Sequence, residues 1–388
     1  MKSNARSWTP IARQVCVVGV VLLSTFCFGQ AEASVSAGGS PTTQAAWRQF
    51  HRLNMARFNE FESVLNVNNV GNLEQKWSYR TGGEIWPSPV VANDVVYIGL
   101  GDKNMYALKA SNGAKLWSAS IGSGFSALAN GVVYLESNVL YALKASNGRT
   151  IWSRNIGGEN GNPPTVLNGV VYIGSLDSNV YALKASNGAL LWSFTTGRAV
   201  YDVSPAVANG VVYVGSSDGN IYALNAKTGA KLWSYTTGNA VSSSASVSNG
   251  VVYIGSLDKN LYALNAKTGA KLWSYPTGDI IAYSAPAVAN GVVYFGSRDS
   301  NVYALNASSG ALLWSYATGN FVDSAPAVAN GIVYIGSGDH KLYALNASTG
   351  ALLWSYTTGG NVHSSPVVVN GMVYVGSDDG KVYAFGLK

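Results

Sequence analysis

Residues 284–317 read SAPAVANGVVYFGSRDSNVYALNASSGALLWSYA, and their punctuation marks out four short strands. Ser284 to Ala289 is a first strand, Asn290-Gly291 a hairpin turn, and Val292 to Ser297 a second strand. Arg298-Asp299-Ser300 turns the chain into a third strand, Asn301 to Asn306. Ser308-Ser309-Gly310 turns it again into a fourth, Ala311 to Ala317. Asn-Gly tolerates the positive φ angles of a two-residue type I′ turn, whose twist matches that of antiparallel strands. Short strands separated at close intervals by turn residues predict a four-stranded antiparallel sheet.

The same unit recurs along the chain. A VVYIG-like string appears eight times, from Tyr97 to Tyr374, and a VYAL-like string follows each time, from Tyr106 to Tyr383. Asn-Gly fills the first turn in seven units, with Asn93-Asp94 in the first. A tryptophan closes every unit but the last: Trp117, Trp152, Trp192, Trp233, Trp273, Trp314 and Trp354, spaced by 35, 40, 41, 40, 41 and 40 residues. A period of this length means a repeat architecture, and the period-3.6 pattern of helical solenoids is absent.

The eighth unit ends at Lys388 without its tryptophan strand, while an orphan strand, Gln75 to Tyr79, carries Trp77 in phase, 40 residues before Trp117. The economical fold is all-β: an eight-bladed propeller of four-stranded antiparallel blades, with the Trp77 strand completing the last blade. An open array would leave its terminal sheets exposed, and a closed ring protects them.

The tryptophan strings resemble the PQQ-like repeat of quinoprotein propellers, Ala-x-Asp-x-x-Thr-Gly-x-x-x-Trp. The fifth unit has Ala263, Asn265, Thr268, Gly269 and Trp273 at those places. Lys or Asn stands where the family has Asp. The resemblance, which covers residues 47–388, implies that Trp77 and the seven repeat tryptophans dock each blade on its neighbour. The quinoprotein alcohol dehydrogenases of this family bind pyrroloquinoline quinone (PQQ) and calcium, use an aspartate base and usually carry a vicinal disulfide. The barrel-assembly lipoprotein of the bacterial outer membrane shares the repeat and is a scaffold without cofactor. Near-identical units lacking long insertions resemble the scaffold more.

Residues 1–33 resemble a secretory leader. Lys2, Arg6 and Arg13 precede an apolar run from Val15 to Phe28, and Ala31-Glu32-Ala33 fits a small-x-small cleavage site. The run is shorter than the ~20 residues of a membrane span. Cys16 and Cys27 both fall within it, so the mature chain would have neither a cysteine metal site nor a thiolate nucleophile. Only 11% of residues are charged and the net charge is +6, with no run of Lys and Arg, so a nucleic-acid footprint is not expected. Residues 34–72 form a lead-in. Within 41–62, Trp47, Phe50, Met55, Phe58 and Phe61 are spaced to predict a short helix packed on one propeller face, and residues 73–388 form the propeller.

Seven units carry an aspartate in the second turn, from Asp102 to Asp379. One carboxylate per turn suits a turn former better than a calcium loop, which draws several oxygens from one stretch. His51, His340 and His363 are too scattered for a zinc triad, and no metal site or catalytic residue is assigned. The connections between blades vary while the blades do not, and loops on a rigid scaffold are where specificity is placed. Trp86, Tyr201, Asp202, Tyr283, Phe321, Asp323 and His363 are the candidate partner-binding residues. The expected protein is an exported, monomeric, non-catalytic bacterial scaffold, periplasmic or secreted. It binds a protein or cell-envelope polymer through this loop face, with no cofactor, no nucleic acid and no membrane span once the leader is removed. The resemblance leaves two alternatives: an oxidoreductase using PQQ and calcium, or, from Trp86 and Tyr283, a carbohydrate-binding propeller.

Overall fold

The computed structural model describes residues 46–52, 55–122, 124–137, 139–157 and 162–388. The leader reading, with Cys16 and Cys27, lies outside them. The described residues form eight sheets of four antiparallel strands, to one of which the lead-in adds Phe58–Asn59 as a fifth strand, parallel to Ala327–Ala329. In the sixth blade the four strands are Ala287–Ala289, Val292–Gly296, Asn301–Asn306 and Leu312–Ala317. Each inner strand neighbours the next, and Val90–Ala92 of the first blade neighbours Val367–Val369 of the last. The array is a ring.

Closure follows the orphan strand. Leu73–Arg80 pairs antiparallel with Lys381–Leu387, setting Trp77 opposite Ala384 and Ser78 opposite Tyr383. The register repeats the sixth blade, where Trp314 faces Ala304 and Ser315 faces Tyr303. The N-terminal strand therefore fills the place that the eighth unit leaves empty.

Adjacent blades are held by their tryptophans. The Trp233 indole donates to the Ala266 carbonyl of the next blade at 3.0 Å, and Tyr213 donates to the same oxygen at 3.1 Å. The Trp233 ring covers Gly269, whose φ of +74° suits glycine and where an added Cβ would sit 2.7 Å from the ring. Second and third strands, covered on both faces, are almost wholly buried, whereas the fourth alternates buried and exposed residues.

Two local differences from the sequence reading have clear causes. Each first strand is shorter than expected, beginning at Ala287 rather than Ser284 in the sixth blade, because the serine bonds across the seam instead. Ser243 donates to Ser284 O (2.7 Å), Ser284 to Ser324 O (3.2 Å), Ser324 to Ser364 O (3.1 Å) and Ser364 to Pro87 O (3.0 Å). In the first unit, Asn93-Asp94 makes the same turn as Asn-Gly, with φ of 52° and 60°.

The lead-in is the larger correction. Its described residues between 46 and 62 contain no helix. They run instead across the inner strands of the ring, blade after blade. Trp47 exchanges two backbone hydrogen bonds with Val91, Arg48 O accepts from Leu128 N and Gln49 Oε1 from Val166 N. His51 Nε2 lies 3.3 Å from Ser204 O. Met55, Ala56 and Arg57 carbonyls accept from Val247, Val288 and Val328, and Asn59 Nδ2 donates to Val368 O at 2.8 Å. All eight blades are visited in chain order. The physical reason is edge satisfaction: inner strands present unpaired backbone groups to the axis, and a helix would have kept its own to itself. Arg52, Met55 and Arg57 adopt φ of 58°, 53° and 50°, which no helix accommodates. The Arg57 guanidinium is fully buried, donating to Phe50 O (2.5 Å), Pro326 O (2.8 Å) and Pro366 O (3.1 Å) beneath the Trp47 and Phe50 rings. Burial lowers its pKa to about 9, so it remains a cation at neutral pH. Among the described residues, no helix is long and apolar enough to cross a membrane.

Candidate functional site

The connections from each fourth strand to the next blade emerge on one face, together with the second-to-third strand turns. Those turns are tied by side-chain hydrogen bonds. Tyr303 donates to Asp299 Oδ2 at 2.7 Å while Asn301 N donates to Asp299 Oδ1 at 3.0 Å, and the Asp-Tyr pair recurs at Tyr106, Tyr181, Tyr222, Tyr262, Tyr343 and Tyr383. The aspartate ring is thus committed to turns and tyrosines. Among the described residues no three His, Cys, Asp or Glu side chains come together as metal ligands.

At the axis of this face lies a cavity of ≈ 60 Å³. Trp86, Asp202, Tyr283, Asp323 and His363 line it, with Ser88, Phe125, Pro163 and Ser365, and Phe50 of the lead-in also contributes to its wall. The remaining two candidates adjoin it: Tyr201 meets Tyr283 edge-on at 6.5 Å, and Phe321 stacks on His363 at 5.3 Å. On its other side His363 stacks on Trp86 at 4.5 Å, and Trp86 is half exposed (50%). The seven candidates therefore lie together, drawn from five connections.

The local backbone explains how they get there. In six connections an aliphatic residue packs on a second-strand glycine of the blade just left, as Val322 does on Gly296 and Val362 on Gly336. Asp323 and His363 come directly after it. The connections before the fourth and sixth blades hold one residue more, and the chain absorbs it at Asp202 (φ 55°) and Tyr283 (φ 60°). A bulky aromatic with positive φ is strained and persists only where its surroundings hold it.

Three participants were not singled out from sequence. Arg298 clamps the buried Asp323 carboxylate through two bonds, Nε to Oδ1 at 2.9 Å and Nη2 to Oδ2 at 2.8 Å, and lies over the Tyr283 and Phe321 rings. Asp378 Oδ2 lies 3.4 Å from His363 Nε2, while His363 Nδ1 is 3.8 Å from Asp323 Oδ2. Burial raises the pKa of Asp378. Glu136, buried in the shortened second unit, accepts from Asn162 N at 2.6 Å. Burial, with the Asp202 charge adding to it, pushes its carboxyl up to about 9. A signal existed for the first two. The turn position before the repeated aspartate reads Gly101, Leu176, Ser217, Leu257, Arg298, Gly338 and Asp378, and only Arg298 and Asp378 are charged.

Asp202 is desolvated, which raises its pKa to about 6, with a hydrogen bond from Tyr201 opposing the rise. The site thus combines a tier of stacked rings, one neutralised carboxylate at Asp323 and a second carboxylate at Asp202.

The comparisons with known proteins agree on the scaffold. The chain is similar to the crystal structure of BamB from Moraxella catarrhalis, at 21% sequence identity and a TM-score of 0.69, covering 81% of this chain and 98% of that one. It is similar to the computationally designed Ika8 protein, at 17% identity and a TM-score of 0.72, covering 81% and 100%. It is also similar to quinohemoprotein alcohol dehydrogenase from Comamonas testosteroni, at 16% identity and a TM-score of 0.76, covering 88% and 80%. Identities this low establish a shared fold alone. No curated protein sequence matches the chain. The model of one family matches residues 59–125, 118–240, 176–321 and 318–388, which together span the whole ring. The chain belongs to the outer membrane protein assembly factor BamB family.

Proposed function

We propose that the protein is an exported, non-catalytic scaffold that holds a protein partner, or an envelope polymer, against the mouth of the propeller. One observation carries this reading. The chain's own lead-in crosses the axis and bonds to every blade, leaving a cavity of ≈ 60 Å³ at the mouth. Small-molecule pockets generally need roughly 300–1,000 Å³. A half-exposed Trp86 beside a clamped Arg298–Asp323 pair suits a surface contact, with an aromatic anchor next to a fixed polar group. The leader-like residues 1–33 and membership of an outer membrane assembly family support an extracytoplasmic bacterial location.

The residues at the mouth do not suit PQQ. That tricyclic quinone carries three carboxylates and would meet the carboxylates of Asp202 and Asp323, while Arg298 is already held by Asp323. No catalytic step is assigned.

Two measurements on the mature protein test the reading. The first is an absorbance spectrum and dye-reduction assay with alcohol after loading with PQQ and calcium, where neither stoichiometric quinone nor turnover is expected. The second is affinity capture from the native envelope by wild type and by a Trp86→Ala/Phe321→Ala variant, which should melt like wild type and lose the captured partner. Stoichiometric quinone with alcohol-dependent reduction, or undiminished capture by the variant, would overturn it.

A further inference from the structure

We infer that the mouth cavity receives a single lysine ammonium from the bound protein partner. The inference rests on the scaffold reading above and specifies the chemistry of its central contact.

Size comes first. A cavity of ≈ 60 Å³ holds a few water molecules, at about 10–15 Å³ of such space for each. An unbranched alkyl stem fits such a slot, whereas a sugar ring or the broad fork of a guanidinium does not. The wall comes second. Phe50, Phe125, Trp86 and Tyr283 surround the space, and aromatic faces are electron-rich surfaces that attract cations.

Charge decides the sign. Two carboxylates line the cavity, and they are not equivalent. Asp323 is neutralised by two bonds from Arg298. Asp202, among the described residues, has no ion-pair partner. One uncompensated carboxylate facing several aromatic rings leaves a place for one positive charge. Burial raises the Asp202 pKa to about 6, so the carboxylate is still ionised at neutral pH and gains from a cation that replaces its lost water.

The test uses the mature protein labelled with 5-fluorotryptophan, the Trp86 resonance being assigned from Trp86→Phe. It is titrated with n-butylammonium, n-butylguanidinium and n-butanol. The expected result is a saturable shift of the Trp86 resonance with n-butylammonium and an at least tenfold weaker response to the other two. Asp202→Asn should weaken n-butylammonium binding at least tenfold. Asparagine accepts the left-handed φ of 55° at this position, so the variant should melt like wild type. Phe125→Leu, which keeps apolar area and removes a π face, should weaken binding at least threefold and serves if the first variant does not fold. An equal response to n-butanol, or unaltered binding in either folded variant, overturns the inference. Indifference to n-butylammonium combined with lost envelope capture by Trp86→Ala/Phe321→Ala would remove the lysine contact and leave the scaffold standing. Tight n-butylammonium binding with undiminished capture would overturn the scaffold reading and the partner's lysine with it, leaving only a cation pocket at the mouth.

Discussion

The indole of Trp354 donates to the carbonyl of Leu73 at 3.0 Å, joining residues 281 apart in sequence. At the other seams the indole reaches an alanine carbonyl in the turn of the next blade, as Trp314 does with Ala347 at 2.9 Å. At this seam the final blade has no such turn, and the first residue of the closing strand takes its place. The Tyr334 hydroxyl, whose counterparts share that alanine oxygen, is buried with no partner among the described residues. The Tyr356 hydroxyl donates instead to Gln75 Oε1 at 2.7 Å, so both side-chain bonds of this seam fall on the closing strand.

Deleting residues 73–80 should therefore give insoluble protein or a sharply lowered melting temperature. Trp77→Ala alone should cost about 3–5 kcal/mol, the usual range for truncating a buried aromatic. Chemical denaturation measures it, and a deletion with unchanged melting would contradict ring closure.

The lead-in should be structural rather than an appendage. Arg57→Met strips a buried cation and its hydrogen bonds from several carbonyls, a loss of about 3 kcal/mol or more. Hydrogen exchange should report it locally, with the amides of Val247, Val288 and Val328 losing protection before those of the outer strands.

Paired glycine substitutions separate backbone strain from tryptophan docking. Gly250 and Gly269 have φ of 75° and 74°, but a Cβ at Gly250 meets nothing within 4 Å while one at Gly269 meets Trp233. Gly250→Ala should cost roughly 1–2 kcal/mol from the left-handed backbone. Gly269→Ala should cost about 1–3 kcal/mol more from overpacking. Equal losses in denaturant titrations would mean that the ring does not bear on the turn.

Glu136 supplies a pH signature. Its folded-state pKa is raised to about 9, above the ordinary 4.5, so the native state holds a proton that the unfolded chain releases. Its contribution to stability is present below the ordinary value and is lost as pH rises towards 9. Glu136→Gln keeps an oxygen for Asn162 N and removes the titration. The variant should match wild type near pH 5 and exceed it by roughly 1–3 kcal/mol at pH 9. A constant difference across that range would show that Glu136 does not titrate in the fold.

Blade count and closure were legible because they rest on local, repeated chemistry: Asn-Gly turns, tryptophans in phase and an orphan Trp77 strand. The mouth residues stood out because Trp86, Asp323 and His363 break a repeat that is otherwise nearly constant. The two 41-residue tryptophan spacings held more than was read from them, since they mark the added residue that places Tyr201 and Tyr283 at the mouth. Arg298 and Asp378 escaped attention beside the turn aspartates. The lead-in misled for a physical reason. Its apolar spacing matched a helix, but the backbone bonds that decide its path belong to inner strands hundreds of residues away, and no local pattern reports them.

The claim that the mouth is the working face can be tested by photocrosslinking in the native envelope. The reactive residue is placed either at Glu84, beside Trp86 on the rim, or at Asn290, exposed in a first hairpin turn on the opposite face. A partner adduct from position 84 and none from position 290 is the expected result. The same adduct from position 290 alone, or from both positions equally, would contradict the account.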